Sequence, residues 1–156
     1  MGSKSDLPVV EKAAQLLKEF GVEYKMRILS AHRTLDATLE FVRGAKEEGY
    51  GIIIAAAGKA AHLPGVVAAA TDLPVIGIPM QTSMMGGMDS VLSILQMPAG
   101  IPVATVGVNA AENAALLALR ILALSNEALA TSYKVYVAQM EKKVLMDDSG
   151  LETENE

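Results

Sequence analysis

The chain holds two histidines, and each sits in a short polar loop. His32 lies in Ser30-Ala31-His32-Arg33-Thr34, and His62 in Ala57-Gly58-Lys59-Ala60-Ala61-His62-Leu63-Pro64-Gly65. An imidazole, with a reference pKa of ~6.5, moves protons near neutral pH. Arg33 offers a planar donor fork suited to phosphate, and Ser30 and Thr34 add hydroxyls beside it. The bland alternative is Thr34 as a helix cap with His32 incidental. A third loop, Gly2-Ser3-Lys4-Ser5-Asp6, leads into a helix start. Its hydroxyls, its backbone N–H groups and the helix dipole suit a phosphate. Asp6 can accept from ribose hydroxyls, or Ser5 and Asp6 can simply cap the helix. The small residues around Gly58 let a ligand approach the backbone closely, and His62 either bonds that ligand or packs. A fourth loop, 79–89, is rich in Met and Gly. It fits a mobile cover over a site or gap-filling at a subunit contact.

Several chemistries are excluded or disfavoured. Cysteine is absent, so disulfides, thiolate metal sites and cysteine nucleophiles are ruled out. The two histidines lack metal-ligand spacing, and no metal is expected. Gly58-Lys59 is no P-loop, because Ile53 stands where the first glycine belongs and Ala60 replaces Ser or Thr. No G-x-G-x-x-G follows a strand, so dinucleotide binding has no fingerprint. A net charge of −5, no Trp and 4% aromatics argue against nucleic-acid partners. Apolar stretches fall short of the ~20 residues a membrane span needs. The start carries no apolar signal run, so a soluble cytoplasmic protein is expected.

Short β-rich runs alternate with helical runs. Glu23–Leu29 reads as a strand with Val22, Tyr24, Met26 and Ile28 on one face. Ile52–Ala55, Val75–Ile78 and Val103–Val106 read as buried strands. Helices are expected over Leu7–Glu19 (stopped by Gly21), Thr34–Glu48, His62–Thr71, Gly87–Gln96, Asn113–Leu124 and Glu127–Asp147. This alternation predicts an α/β fold with a parallel sheet, which binds ligands at the carboxyl ends of its strands. One domain over 1–146 is expected, followed by an acidic, disordered tail over 147–156. The stripe Leu129, Tyr133, Tyr136, Val137, Met140 and Val144 packs either on its own domain or on a neighbouring subunit. A βαβ fold also wants a strand before the first loop, where only Met1 stands.

Together the loops carry a resemblance. Gly2-Ser3-Lys4-Ser5-Asp6, Ser30-Ala31-His32-Arg33-Thr34, Ala60-Ala61-His62-Leu63-Pro64-Gly65, Asp89-Ser90 and Gln96-Met97-Pro98 with Gly100-Ile101-Pro102-Val103 occur in order. The chain resembles the class I N5-carboxyaminoimidazole ribonucleotide mutase family of purine (IMP) biosynthesis from residue 1 to about 145. The resemblance implies a three-layer α/β/α flavodoxin-like sheet in a homo-octamer, with the long C-terminal helix packing on a neighbouring subunit. It implies that Ser3, Asp6 and Arg33 bind a ribonucleotide, with Ser5 and Ser30 in the same cradle. His32 matches the catalytic histidine. His62 and the backbone beside it, at Gly58, Lys59, Ala61 and Leu63, match a loop contacting the base and its carboxylate. The implied reaction moves a carboxylate from N5 to C4 through trapped CO2, with no cofactor.

The chain departs from the family at Lys59 and Ala56, where glycine is usual, and at Leu35, where proline is usual. The missing first strand, central in a flavodoxin-like sheet, is the largest departure, and a truncated or misassigned start, or a compensated but weakened fold, is expected. The nearest rival is the class II relative that carboxylates aminoimidazole ribonucleotide with free CO2. A flavodoxin-like or receiver-like binding module is disfavoured, because Ala55-Ala56-Ala57 offers no phosphoacceptor and the loops offer no aromatics.

Overall fold

The computed structural model describes residues 1–153. Helix α1 spans Leu7–Glu19, α2 Leu35–Gly44, strand β1 Ile53–Ala57, α3 Leu63–Ala68 and β2 Val75–Pro79. Then come α4 (Met88–Leu95), β3 (Ala104–Thr105), α5 (Ala111–Leu122) and α6 (Glu127–Thr153). The strands form a parallel sheet in the order β1-β2-β3, with Ile54 opposite Ile76 and Ile76 opposite Ala104. Parallel strands with helices on both sides of the sheet make this an α/β fold, as expected.

Every residue of β2 is buried, which is why its run lacks the alternation of a half-exposed strand. Val42, Ala55, Ala57, Leu63, Val67, Val75 and Ile94 form a continuous core beneath the site loops. Burying one such Val, Leu or Ile side chain contributes about 1.5–3 kcal/mol. Helix α1 buries Ala13, Ala14, Leu16 and Leu17, the one-face spacing of an amphipathic helix. Gly21, at φ +69°, stops it. Helix α4 stands directly on β2. A Cβ at Gly77 would lie 2.6 Å from Ile94 Cγ2 and 3.0 Å from Val103 Cγ1, so glycine is what allows that approach.

The segment 23–29 differs from expectation. It runs extended but forms no ladder among the described residues. Its only strand-like rungs go to Met1. The Met1 ammonium donates to the Arg27 carbonyl at 3.0 Å, and the Leu29 N–H donates to the Met1 carbonyl at 2.9 Å. Gly2 N–H donates to the Ala56 carbonyl at 3.0 Å, so two residues bridge 27–29 to β1. Further back along 23–29 no backbone partner among the described residues extends the ladder, and Tyr24 and Ile28 stay exposed. Burial pushes the Met1 ammonium pKa below its ordinary 8.0, with the Asp6 carboxylate partly opposing the shift.

Helix ends also differ. Helix α2 stops at Gly44 and α3 at Ala68, earlier than the apolar pattern alone indicates. Helix α6 runs past Asp147 to Thr153, so the first part of the expected tail is helical, and the Ser149 hydroxyl bonds back to the Met146 carbonyl. Residues 154–156 of that tail lie outside the described residues.

The chain divides into two compact units, Met1–Ala118 and Leu119 onward, with the boundary inside α5. In the first, α5 buries Ala111, Ala114, Ala115 and Ala118 along one face. In the second, the Arg120 guanidinium lies 5.8 Å from the Tyr133 ring centroid. Leu129 of the α6 stripe is buried, whereas Val137, Met140 and Val144 are exposed.

Candidate active site

The polar loops meet at the carboxyl ends of β1 and β2, and successive hydrogen bonds join them. In the first loop Ser3 accepts the Ser5 N–H at 3.2 Å and the Ser5 hydroxyl at 2.8 Å. Asp6 Oδ2 accepts the Ser3 N–H at 3.2 Å, and Oδ1 accepts the Ser5 hydroxyl at 3.2 Å. Ser3 is thus the capping residue, and Asp6 closes a capping box rather than capping α1 itself. Asp6 is buried, and each oxygen keeps lone-pair capacity for a further donor.

The second loop folds on its own hydroxyls. Thr34 does not cap α2. Its Oγ1 accepts the Ser30 N–H at 2.8 Å instead, because the loop turns back on itself before the helix starts. Ser30 Oγ accepts from the Arg33 backbone N–H and from Arg33 Nε, both at 3.3 Å. Arg33 Nη2 donates to the Gly2 carbonyl at 3.1 Å, which joins the second loop to the first. One guanidinium therefore spans both loops, and its remaining N–H groups are available to an anion.

His32 Nε2 lies 2.7 Å from His62 Nδ1, with the rings edge-to-face at 75° and centroids 4.8 Å apart. One proton lies between these two nitrogens, on whichever ring the tautomer places it. Both rings are exposed. The sequence separates them by 30 residues, and no local pattern indicates that they touch.

The third loop is shaped by its backbone. Lys59 (φ +60°) and Ala61 (φ +32°) both adopt the left-handed region. A Cβ at Gly58 would lie 3.4 Å from Met80 Cβ. Ala61 and Leu63 turn their side chains into the core, so only their backbone can serve a ligand. The Lys59 side chain is exposed and forms no ion pair among the described residues.

The fourth loop keeps Met84 and Met85 exposed, while Gln81 and Asn109 bond reciprocally at 2.9 and 3.2 Å. The tether that Asn109 makes to the fourth loop was not legible in the sequence. The available signal was an Asn, a residue type that tolerates positive φ and here takes φ +54°, shortly after the third strand.

Among the described residues no group of three His, Asp or Glu is placed to hold a metal ion. No described helix is long and apolar enough to cross a membrane. An open groove of about 860 Å³ beside Arg43, Lys46 and Asp72 lies at the amino ends of the strands, away from these loops.

Comparison with known proteins gives consistent matches. A family described as AIR carboxylase matches residues 1–143. The N5-carboxyaminoimidazole ribonucleotide mutase of Thermotoga maritima is 51% identical over 152 residues, covering 97% of this chain and 89% of its own. The mutase of the same name from Pyrococcus horikoshii is 53% identical over 144 residues, covering 92% and 81%. The crystal structure of Treponema denticola PurE superposes with a TM-score of 0.87 at 37% identity, covering 97% of this chain and 94% of that one.

Proposed function

The chain belongs to the AIR carboxylase family, and from that we infer that it converts N5-carboxyaminoimidazole ribonucleotide to 4-carboxy-5-aminoimidazole ribonucleotide in purine biosynthesis. The observation that carries this reading is the His32–His62 contact at 2.7 Å beside the guanidinium that bridges the first two loops. A phosphate-bearing substrate meets Arg33, Ser3, Ser5 and Ser30, and Asp6 accepts from its ribose. Gly58, Lys59, Ala61, His62 and the Leu63 backbone meet the base and its carboxylate.

In the proposed reaction the N5–carboxylate bond breaks and releases CO2, while the departing nitrogen takes a proton from His32. C4 then attacks the retained CO2 and forms the new C–C bond. Neutral His32 removes the C4 proton and returns to its starting state. One histidine serves both transfers, and atoms and charge balance without a cofactor. His62 is placed to hold His32 in one tautomer between the two steps. Escape of CO2 would end in net decarboxylation, so the pocket must close. The loop 80–88 is the candidate cover.

Both histidines are exposed in a single chain. The reading includes neighbouring subunits that complete the site, in the cytoplasmic homo-octamer that the family resemblance implies. Exposed Leu92 and Leu95 on α4, and Val137, Met140 and Val144 on α6, support it as unfilled apolar contacts.

The test is turnover of N5-carboxyaminoimidazole ribonucleotide by the wild type and by His32→Asn. Product from the wild type and none from the variant is expected. Equal rates would remove His32 as the proton carrier. A folded wild type without turnover would overturn the reading.

A further inference from the structure

Resting on the mutase reading above, we propose that Ser90 is a positioning residue whose buried hydroxyl holds Lys59 in its left-handed conformation and so sets His62 against His32. Ser90 lies in the first turn of α4 and is fully buried. A hydroxyl buried this deeply needs a partner. Its Oγ accepts the Lys59 N–H at 2.9 Å. One turn on, the Ser93 hydroxyl reaches the Lys59 carbonyl at 3.3 Å and the Asp89 carbonyl at 2.7 Å. Helix α4 therefore holds the Lys59 N–H through Ser90, and the single Ser93 proton, directed mainly at the Asp89 carbonyl, adds a weaker contact on the Lys59 carbonyl.

That residue needs gripping. Side chains disfavour the left-handed region, and Lys59 and Ala61 both adopt it within the three residues before His62. The turn closes with the Ala61 N–H on the Gly58 carbonyl at 3.1 Å. The Lys59 side chain adds no ion pair among the described residues, so the hydrogen bonds on its backbone are what hold it. A strained conformation persists only where its surroundings over-determine it.

The same bracket reaches the fourth loop. Asp89 Oδ1 accepts the Ser90 N–H at 2.9 Å and the Thr82 hydroxyl at 2.6 Å. Thr82 Oγ1 in turn accepts the Met84 N–H at 3.2 Å. The start of α4 thus ties the candidate cover to the loop that carries His62. Without the Ser90 hydroxyl, Lys59 relaxes toward ordinary φ values and His62 is displaced from His32. The cradle formed by Ser3, Ser30 and Arg33 is untouched.

The test is a double-mutant cycle of Ser90→Ala and Lys59→Gly, read by kinetics and by the ring-nitrogen NMR signals of the two histidines. Ser90→Ala should lower kcat roughly five- to thirtyfold, the population ratio matching the ordinary cost of a left-handed residue. KM should change little, and more substrate should end as decarboxylated by-product. Glycine takes positive φ freely. In the Lys59→Gly background the same Ser90→Ala change should therefore cost less than about threefold.

A merely structural serine would lower kcat by the same factor in both backgrounds, and that result would overturn the proposal. Ser93→Ala, which removes the contact on the Lys59 carbonyl together with the helix's own bond to the Asp89 carbonyl, should show a smaller loss with the same rescue. It decides the question if Ser90→Ala fails to fold, and a Ser93→Ala loss that Lys59→Gly does not reduce would overturn the proposal. Histidine signals that respond to these changes in a wild type without turnover would sink the mutase reading and keep the bracket. Turnover with no response of either readout to Ser90→Ala would do the reverse.

Discussion

Gly77→Ala places a methyl group where the structure has no room. Its carbon would stand 2.6 Å from Ile94 Cγ2 and 3.0 Å from Val103 Cγ1. Carbon atoms in contact prefer about 3.5–4.0 Å, so roughly an ångström of displacement is required. Ile94 is fully buried against the core and cannot swing aside. Overpacking of this kind costs about 1–3 kcal/mol. At about 2–4 °C per kcal/mol for a chain of this size, Tm should fall by roughly 2–12 °C. The assay is denaturant unfolding at fixed protomer concentration, with the midpoint falling and the m-value unchanged. Ile94→Ala alone should cost about 2–5 kcal/mol by leaving a cavity. In the double variant the new methyl should occupy part of that cavity, so the double costs less than the sum of the singles. A Gly77→Ala cost below about 0.5 kcal/mol, or strict additivity with Ile94→Ala, would refute the close approach of α4 to β2.

Arg33→Lys keeps the charge but loses the fork that reaches Ser30 Oγ and the Gly2 carbonyl. KM for the ribonucleotide should rise roughly tenfold or more with kcat little changed; a fall in kcat alone would move Arg33 out of the phosphate cradle. The Met1 ammonium, its pKa lowered by burial, sheds its proton more readily in the folded chain than in the unfolded one. The unfolded state therefore binds more protons just below 8.0, and stability should rise with pH through that window. Acetylating the amine should abolish that increment in a denaturation series, and an unchanged pH slope would contradict the assignment. Met140→Glu, on the exposed stripe of α6, should leave the chain folded while lowering the assembly mass in analytical ultracentrifugation. An unchanged mass would remove that stripe from any interface.

The features legible in the sequence were those set by local pattern. Val75–Ile78 reads as a buried strand because every residue is apolar, and it is one. The 3.6-residue spacing of Ala13, Ala14, Leu16 and Leu17 foretold α1, and Gly21 its end. The site loops were legible as polar breaks between such runs. What stayed hidden depends on contacts distant in the chain. The His32–His62 contact spans 30 residues, and the Ser90–Lys59 contact spans 31. Thr34 and Asp6 have the residue types of caps, yet they bond within their own loops, because nearby hydroxyl and N–H partners competed successfully for their side chains. Segment 23–29 has strand composition but makes only terminal rungs, because a strand forms by pairing and, among the described residues, Met1 supplies the only backbone pairing along it. The residue type at position 59 gives no sign of its left-handed conformation, since lysine does not favour that region.

The most direct measurement is the fate of a labelled carboxylate. Substrate carrying a carbon-13 carbamate would be turned over in a large pool of unlabelled bicarbonate and CO2, and the C4 carboxylate of the product analysed by mass spectrometry. Transfer through CO2 held in the site predicts that the product keeps the label. Product formed with the label diluted to the level of the pool would contradict the trapped intermediate and assign the chain to carboxylation by free CO2.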